Sequence, residues 1–165
     1  MEVSVLGAAK QVGRSAFLLK GDKTRVLLDY GVQLGKTPSF PSHVKPKDVD
    51  GIVLSHAHLD HSGAIPLFFL KNKLPVHATD LTMELSELLI EDFVQLSRFS
   101  LPFEYLEVVN MMKNAKGAKI GKKSKIGEFN ISFLEAGHIP GSAIVQLDNG
   151  KKRVIYTGDF NAEDT

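Results

Sequence analysis

Along the first third of the chain the apolar positions fall in short runs, Val3 to Leu6, Ala16 to Leu19 and Val26 to Leu28, broken by Gly, Lys and Asp. This spacing predicts a set of antiparallel strands. The continuous run Gly51-Ile52-Val53-Leu54 predicts a short strand buried on both faces, and Gly63 to Leu70 reads as a helix after it. Val76 to Ala78 predicts a further strand. From Asp80 to Arg98, Leu81, Leu85, Leu88, Leu89, Phe93 and Leu96 share one helical face, with Thr79 or Asp80 as the N-cap. Near the end, Ile131 to Leu134, Ala143 to Leu147 and Val154 to Tyr156 read as strands, the last two joined through the hairpin signal Asn149-Gly150. No repeat, low-complexity tract or linker divides the chain, so it reads as one domain or part of one.

Composition changes this picture little. The 165 residues can bury a real core, and 43% hydrophobic content with a net charge of +1 is ordinary for a soluble globular protein. The total charge makes no case for a nucleic-acid partner. No stretch is apolar and long enough to cross a membrane and no signal peptide is evident, so a cytoplasmic location is expected. The absence of cysteine removes any disulfide framework or thiolate nucleophile. One local bias stands out: Lys113, Lys116, Lys119, Lys122, Lys123 and Lys125 form a basic stretch that could track a phosphate backbone or be a solvated loop. No aromatic is interleaved there to stack on bases.

The chemistry is concentrated in Leu54-Ser55-His56-Ala57-His58-Leu59-Asp60-His61-Ser62-Gly63-Ala64, which sets three imidazoles and a carboxylate within six positions directly after an apolar run. Without thiolates, imidazole and carboxylate are the donors a zinc ion prefers. His56 and His58, two apart in an extended stretch, point the same way and can grip one ion. Asp60 and His61, further along the strand-to-helix turn, can reach a second ion beside it.

This motif resembles the histidine motif of the metallo-beta-lactamase superfamily, and three further pieces follow the order of that family. Asp29 in Val26-Leu27-Leu28-Asp29-Tyr30-Gly31 matches its strand-end aspartate, His138 in Ala136-Gly137-His138-Ile139-Pro140-Gly141-Ser142-Ala143 its next ligand, and Asp159 in Tyr156-Thr157-Gly158-Asp159-Phe160 its bridging carboxylate. The wording Ser62-Gly63-Ala64-Ile65-Pro66 and Gly137-His138-Ile139-Pro140-Gly141-Ser142 is most similar to the beta-CASP branch, relatives of the eukaryotic cleavage and polyadenylation nuclease, and above all to its archaeal members. The resemblance implies an α/β fold, the αββα sandwich, and a zinc-dependent ribonuclease acting in RNA processing or decay. It implies that His56, His58 and His138 hold a first Zn²⁺, that Asp60 and His61 hold a second, and that Asp159 bridges them. A hydroxide between two zinc ions roughly 3.5–4 Å apart would then attack phosphorus in line. Asp60 and Asp29 are the candidate catalytic carboxylates, Asp60 on the metal and Asp29 by accepting an imidazole N–H that fixes a ligand's tautomer. For Asp29 and for Asp159 a plain turn-forming role is the alternative. Gly137 and Gly141 would let the backbone bend near the ions, and Gly141 and Ser142 are weak candidates for binding a substrate phosphate. His43 and His77 match no motif and read as structural.

The family fold is completed by a second set of strands and helices with one more zinc-ligating histidine, and the branch inserts a further domain after the position of Asp159. Residues 1–165 are therefore expected to supply the N-terminal portion, roughly half of the sandwich, completed by a missing C-terminal portion or by a second chain. An exposed apolar sheet edge or face is expected where that remainder would pack. A small-molecule hydrolase acting on a thioester or lactone, and a non-catalytic remnant, are the alternatives to the ribonuclease.

Overall fold

The computed structural model describes residues 1–97 and 101–162, and the strands fall into two sheets. The first runs in the order β1 (Glu2–Val5), β2 (Ala16–Lys20), β3 (Arg25–Tyr30), β4 (Gly51–Val53), β5 (Val76–Thr79) and β6 (Ala115–Ala118). β1 to β3 are antiparallel, as the spacing of their apolar runs predicts, and β3 to β6 are parallel. The second sheet is antiparallel, in the order β10 (Arg153–Tyr156), β9 (Ala143–Asp148), β8 (Phe129–Glu135) and β7 (Lys123–Ile126). The Asn149-Gly150 signal becomes a four-residue loop between Asp148 and Arg153, in which Asn149 Oδ1 accepts the N–H groups of Lys151 and Lys152.

Alternation along the central strands explains the layering. Leu27, Ile52 and Leu54 point to one side and join Phe68, Phe69, Met83, Ile90 and Met111 under the helices, whereas Val26, Leu28 and Val53 point to the other and join Ile131, Phe133, Val145 and Leu147 between the sheets. The register pairs Leu27 with Ile52 and Leu28 with Val53, so each face stays in step. The helices α1 (Leu59–Ser62), α2 (Asp80–Ser97) and α3 (Tyr105–Lys113) all contribute to the first of these layers. Among the described elements no helix covers the outer face of the second sheet, where Leu134 and Ile155 are exposed.

Three local expectations are corrected. The helix foreseen over Gly63 to Leu70 is instead α1, which starts earlier at Leu59, followed by a separate 3₁₀ turn over Ile65–Phe69. Pro66 is the reason, since its ring excludes the carbonyl of Ser62 and it has no N–H for an α-helical bond. α2 has its expected start, with Thr79 Oγ1 accepting the Thr82 N–H; its expected last residue, Arg98, lies outside the described residues. Its leucine face is not the buried one. Thr82, Met83, Ser86, Ile90 and Phe93 face inward, while Leu81, Leu88 and Leu96 are exposed. Finally, the lysine stretch is not one loop, since only Lys119 and Lys122 lie in the turn between β6 and β7. Lys116 lies on β6 and Lys123 and Lys125 on β7, edge strands of different sheets, where lysine also discourages edge-to-edge pairing. Among the described residues no helix is long and apolar enough to cross a membrane.

Candidate metal centre

β4 delivers the histidine motif. Its last residues pair in parallel with β3 and β5, so the chain leaves the sheet at Leu54 beside the end of β3 and bends into α1, with His58 at the N-cap position and His61 inside the helix. The bend is tight. A Cβ on Gly31 would collide with the carbonyl of Asp60, so only glycine lets β3 pass this close to the motif. Ser62 is buried and its hydroxyl turns back to the Ala57 carbonyl at 2.8 Å, closing the turn.

Asp29 is the hub. It is fully buried and takes a positive φ of 54°, a backbone state sparsely populated outside glycine, asparagine and aspartate. Its Oδ1 accepts the Ser55 N–H at 2.7 Å; its Oδ2 accepts the Ser55 hydroxyl at 2.6 Å, His61 Nδ1–H at 2.6 Å and the Tyr156 hydroxyl at 2.7 Å. Burial alone would raise the Asp29 carboxyl, but the bond and charge of His61, with the two Ser55 bonds, outweigh it and hold it below its ordinary value. An ionised carboxylate can only accept, which fixes the protons around it. His61 donates Nδ1–H to Asp29, so its neutral form presents Nε2 bare. The Ser55 proton is spent on Asp29, so Ser55 Oγ accepts from His56 Nδ1–H at 3.0 Å and leaves His56 Nε2 bare as well. One carboxylate thus sets the tautomers of two imidazoles, one directly and one through a serine. Burial and the neighbouring His61 push the His56 imidazole down to about 4, whereas for His61 the bond and charge of Asp29 overcome the effect of burial and raise it.

The second sheet brings the remaining groups. Past the end of β8, His138 sits in a loop whose turn is held internally: Ser142 Oγ accepts the N–H groups of His138 and Ile139, and Thr79 and Thr82 at the head of α2 reach the Gly141 carbonyl at 2.7 and 2.8 Å. The Ser142 oxygen is thereby spent within the loop, as a cap of its turn. Ser142 is 2% exposed with its oxygen engaged by the loop, and the Gly141 carbonyl is turned into the helix terminus. Past β10, Gly158 takes a positive φ of 53° in a place where a Cβ would lie 2.7 Å from Ser55 Oγ, and Asp159 follows it, half-exposed.

The nitrogens converge. His58 Nδ1 lies 3.2 Å from His56 Nε2 and 3.2 Å from His138 Nε2. Two nitrogens held about 2.05 Å from one tetrahedral ion are about 3.3 Å apart, so these spacings suit a shared cation. Donor atoms of His56, His58, His138 and Asp159 all lie within 4.8 Å of one another, as do those of Asp29, His56 and His61. Asp159 reaches both sides, 3.7 Å from His138 Nε2 and 3.5 Å from His61 Nε2. Asp60 stands further off, 3.9 Å from His61 Nε2, and belongs to neither group. His43 and His77 lie outside the cluster; His77 is buried on β5.

Sequence reasoning missed Ser15, Ser55, Thr79, Thr82 and Tyr156 as groups that hold the centre. Ser55 and Tyr156 each sit within three residues of a predicted ligand, which was a usable signal; Ser15 and the two threonines carried none.

Comparison with known proteins agrees with this geometry. The family model of the metallo-beta-lactamase superfamily matches residues 9–164. RNase aCSPSF2 of Saccharolobus solfataricus is 36% identical, over 99% of this chain and 34% of its own length, and the probable RNase MJ4 of Methanocaldococcus jannaschii is 39% identical, over 100% of this chain and 40% of its own. The chain therefore spans between a third and two-fifths of the length of these relatives. Among solved structures, the metallo-beta-lactamase fold protein YhfI from Bacillus subtilis shares the fold, with a TM-score of 0.63 and 22% identity over 98% of this chain and 63% of that one. With motif order, ligand convergence and a family match over nearly the whole length in agreement, the chain belongs to the metallo-beta-lactamase superfamily.

Proposed function

We propose that this chain carries the metal-binding portion of a zinc-dependent ribonuclease of the beta-CASP branch, active in RNA processing or decay. The observation that supports it most is the convergence of His56 Nε2 and His138 Nε2 on His58 Nδ1, each at 3.2 Å, spacings that suit one zinc ion. Relatives at 36% and 39% identity named as RNases point to RNA as the substrate. Bound zinc supplies Lewis acidity, activating water near neutral pH and drawing charge from phosphoryl oxygens.

The chain's own residues do the rest. His56, His58 and His138 would hold the first ion and His61, Asp60 and Asp159 the second; Asp159 lies 3.7 Å from His138 Nε2 and 3.5 Å from His61 Nε2. Asp29 and Ser55 would keep the ligand imidazoles aimed, each by accepting a ring N–H at Nδ1. In the complete enzyme, residues outside this chain finish the second site and the RNA cleft.

The test is zinc content per purified chain, with His58→Ala as control, followed by assay on RNA and on a panel of thioesters and lactones. Zinc retained by the wild type and lost in the variant, with cleavage of RNA once the remainder of the enzyme is supplied, is the expected result. Turnover of thioesters without RNA cleavage would overturn the substrate assignment, and a chain without zinc would overturn the metal assignment.

A further inference from the structure

We propose that the chain has a second contact for its substrate: the basic concavity between the loop before β5 and the C-terminal end of α3 holds the phosphodiester backbone of single-stranded RNA away from the metal centre. The proposal rests on the ribonuclease reading above and adds a binding surface outside that centre.

The 3₁₀ turn over Ile65–Phe69 ends at Leu70, and the chain then passes through Lys71, Asn72 and Lys73 before β5. Facing this loop are Asn110 and Lys113 of α3. The cavity between them measures about 440 Å³, within the range of small-ligand sites. Its three lysines are exposed, and among the described residues none of them makes an ion pair or a side-chain hydrogen bond. No carboxylate lines it. In a chain with 20 basic and 19 acidic residues, three uncompensated cations around one cavity are a local excess. The cavity at the β2–β3 turn is the contrast. There Lys20, Lys23 and Lys47 are interleaved with Asp22, Asp48 and Asp50, and basic groups are already paired, Arg25 with Asp48 at 3.3 Å and Lys151 with Asp22 at 3.0 Å.

The walls suit an anion. The free carbonyls of a helix C-terminus would repel one, but Asn114 covers them here. Its N–H donates to the Met111 and Met112 carbonyls, and its side-chain NH₂ to the Asn110 carbonyl at 2.8 Å. The Asn114 carbonyl accepts the Val76 N–H at 3.1 Å and the Pro75 carbonyl accepts the Ile52 N–H at 2.9 Å, so both walls are tied to the first sheet. Among the described residues the side-chain amides of Asn72 and Asn110 make no hydrogen bond, which leaves them for ribose hydroxyls or base edges. Leu70, 50% exposed, adds apolar surface. Phe69 is 2% exposed and presents no ring for stacking, so the contact is to the backbone and carries little sequence preference. Both walls sit at the amino ends of β5 and β6, whereas the histidine motif leaves β4 at its carboxyl end. The four residues of β5 alone put about 13 Å between the two levels of the sheet, at about 3.3 Å per residue.

The test is the affinity of the 165-residue chain for a fluorescent single-stranded oligoribonucleotide, measured by anisotropy in EDTA across a range of salt. Three phosphate contacts contribute about 2 to the slope of log affinity against log salt, at about 0.7 each. The triple variant Lys71→Gln, Lys73→Gln, Lys113→Gln should therefore lose about 2 from that slope and bind about 10–100-fold more weakly near 0.1 M salt. The corresponding Lys→Arg triple variant should bind as the wild type does. Removing the same charge elsewhere, with Lys20→Gln, Lys23→Gln and Lys47→Gln, should change neither quantity. A Gln variant at positions 71, 73 and 113 that keeps the wild-type slope overturns the proposal, as does an equal loss in the variant at positions 20, 23 and 47, or a wild-type chain that does not bind RNA. Displacement of the RNA by polyglutamate at equal charge would assign the surface to an acidic protein segment instead. Because no metal takes part, these outcomes leave the ribonuclease reading to its own assay: turnover of thioesters without RNA cleavage would remove that reading, whereas an unchanged salt slope removes only the distal contact.

Discussion

Asp29→Asn isolates the hub of the metal centre, because asparagine tolerates the positive φ of 54° at this position and so leaves the backbone undisturbed. Four donors converge on the carboxylate: Ser55 N–H, Ser55 O–H, His61 Nδ1–H and Tyr156 O–H. The single oxygen of asparagine serves three of them at best, in the position of Oδ2. The amide NH₂ then faces the Ser55 N–H and orphans it, which costs about 1–3 kcal/mol for a buried donor. The three surviving bonds lose their charge assistance, about 1 kcal/mol each. The sum is about 4–6 kcal/mol, a large share of the roughly 5–15 kcal/mol that keeps a domain folded. At about 2–4 °C per kcal/mol for a chain of this size, the metal-free variant should melt roughly 8–24 °C below the wild type by circular dichroism in EDTA. Zinc affinity should fall about 10–100-fold, since the imidazoles of His56 and His61 lose the acceptor that orients them. A metal-free melting temperature within about 3 °C of the wild type would refute the hub.

Gly31→Ala should prevent folding or displace Asp60 and His61, because the added Cβ meets the Asp60 carbonyl; a chain that is soluble, binds two metal ions and melts as the wild type does would contradict the close approach. On α2, Ile90→Ala should cost about 2–5 kcal/mol in urea unfolding while Leu88→Ala, at a residue 57% exposed, costs less than about 0.5 kcal/mol; the reverse order would restore the leucine face to the core. The pH dependence of the metal-free chain follows from the Asp29–His61 pair. His61 is raised above its ordinary 6.5, so its contribution is complete below pH 6.5 and is lost as pH rises through the raised value, while Asp29 is lowered from 3.8, so its contribution is present above that pH and is lost as pH falls through the lowered value. Melting temperature should therefore fall more steeply as pH rises above 6.5 in the wild type than in Asp29→Asn; parallel curves would mean that the pair does not stabilise the fold.

What the sequence made legible was what repeats locally. The apolar runs of β2, β3 and β4 and the hairpin after Asp148 are short-range patterns, and so is the density of histidines between Leu54 and Gly63. The misread elements are those decided at long range. The leucines of α2 obey helical periodicity, yet the buried face begins with Thr82 and Ser86: Thr82, with Thr79, must meet the Gly141 carbonyl, and Ser86 caps the Thr82 carbonyl from below. A binding loop 59 residues away thereby overrides the apolar stripe.

The topology explains why residues so far apart in sequence converge at all. β3, β4 and β5 run parallel, so Asp29, the histidine motif and the Thr79 cap all emerge at one edge of the first sheet. β8 and β10 are both antiparallel to β9 and hence parallel to each other, so His138 and Asp159 emerge together from the second. The two edges are joined where the Ala143 N–H donates to the Ser55 carbonyl at 2.9 Å, next to the serine that links Asp29 to His56. Ligands at the carboxyl ends of strands are the general habit of α/β sheets; here the two edges belong to different sheets, so any cation shared by His58 and His138 bridges the sandwich. Binding to the folded state alone adds about 4 kcal/mol when the free ion is at a thousandfold its dissociation constant. The centre thus belongs to the packing of the two sheets as much as to the chemistry, and Asp29, buried beneath both edges and bonded to Ser55, His61 and Tyr156, is where those two roles meet.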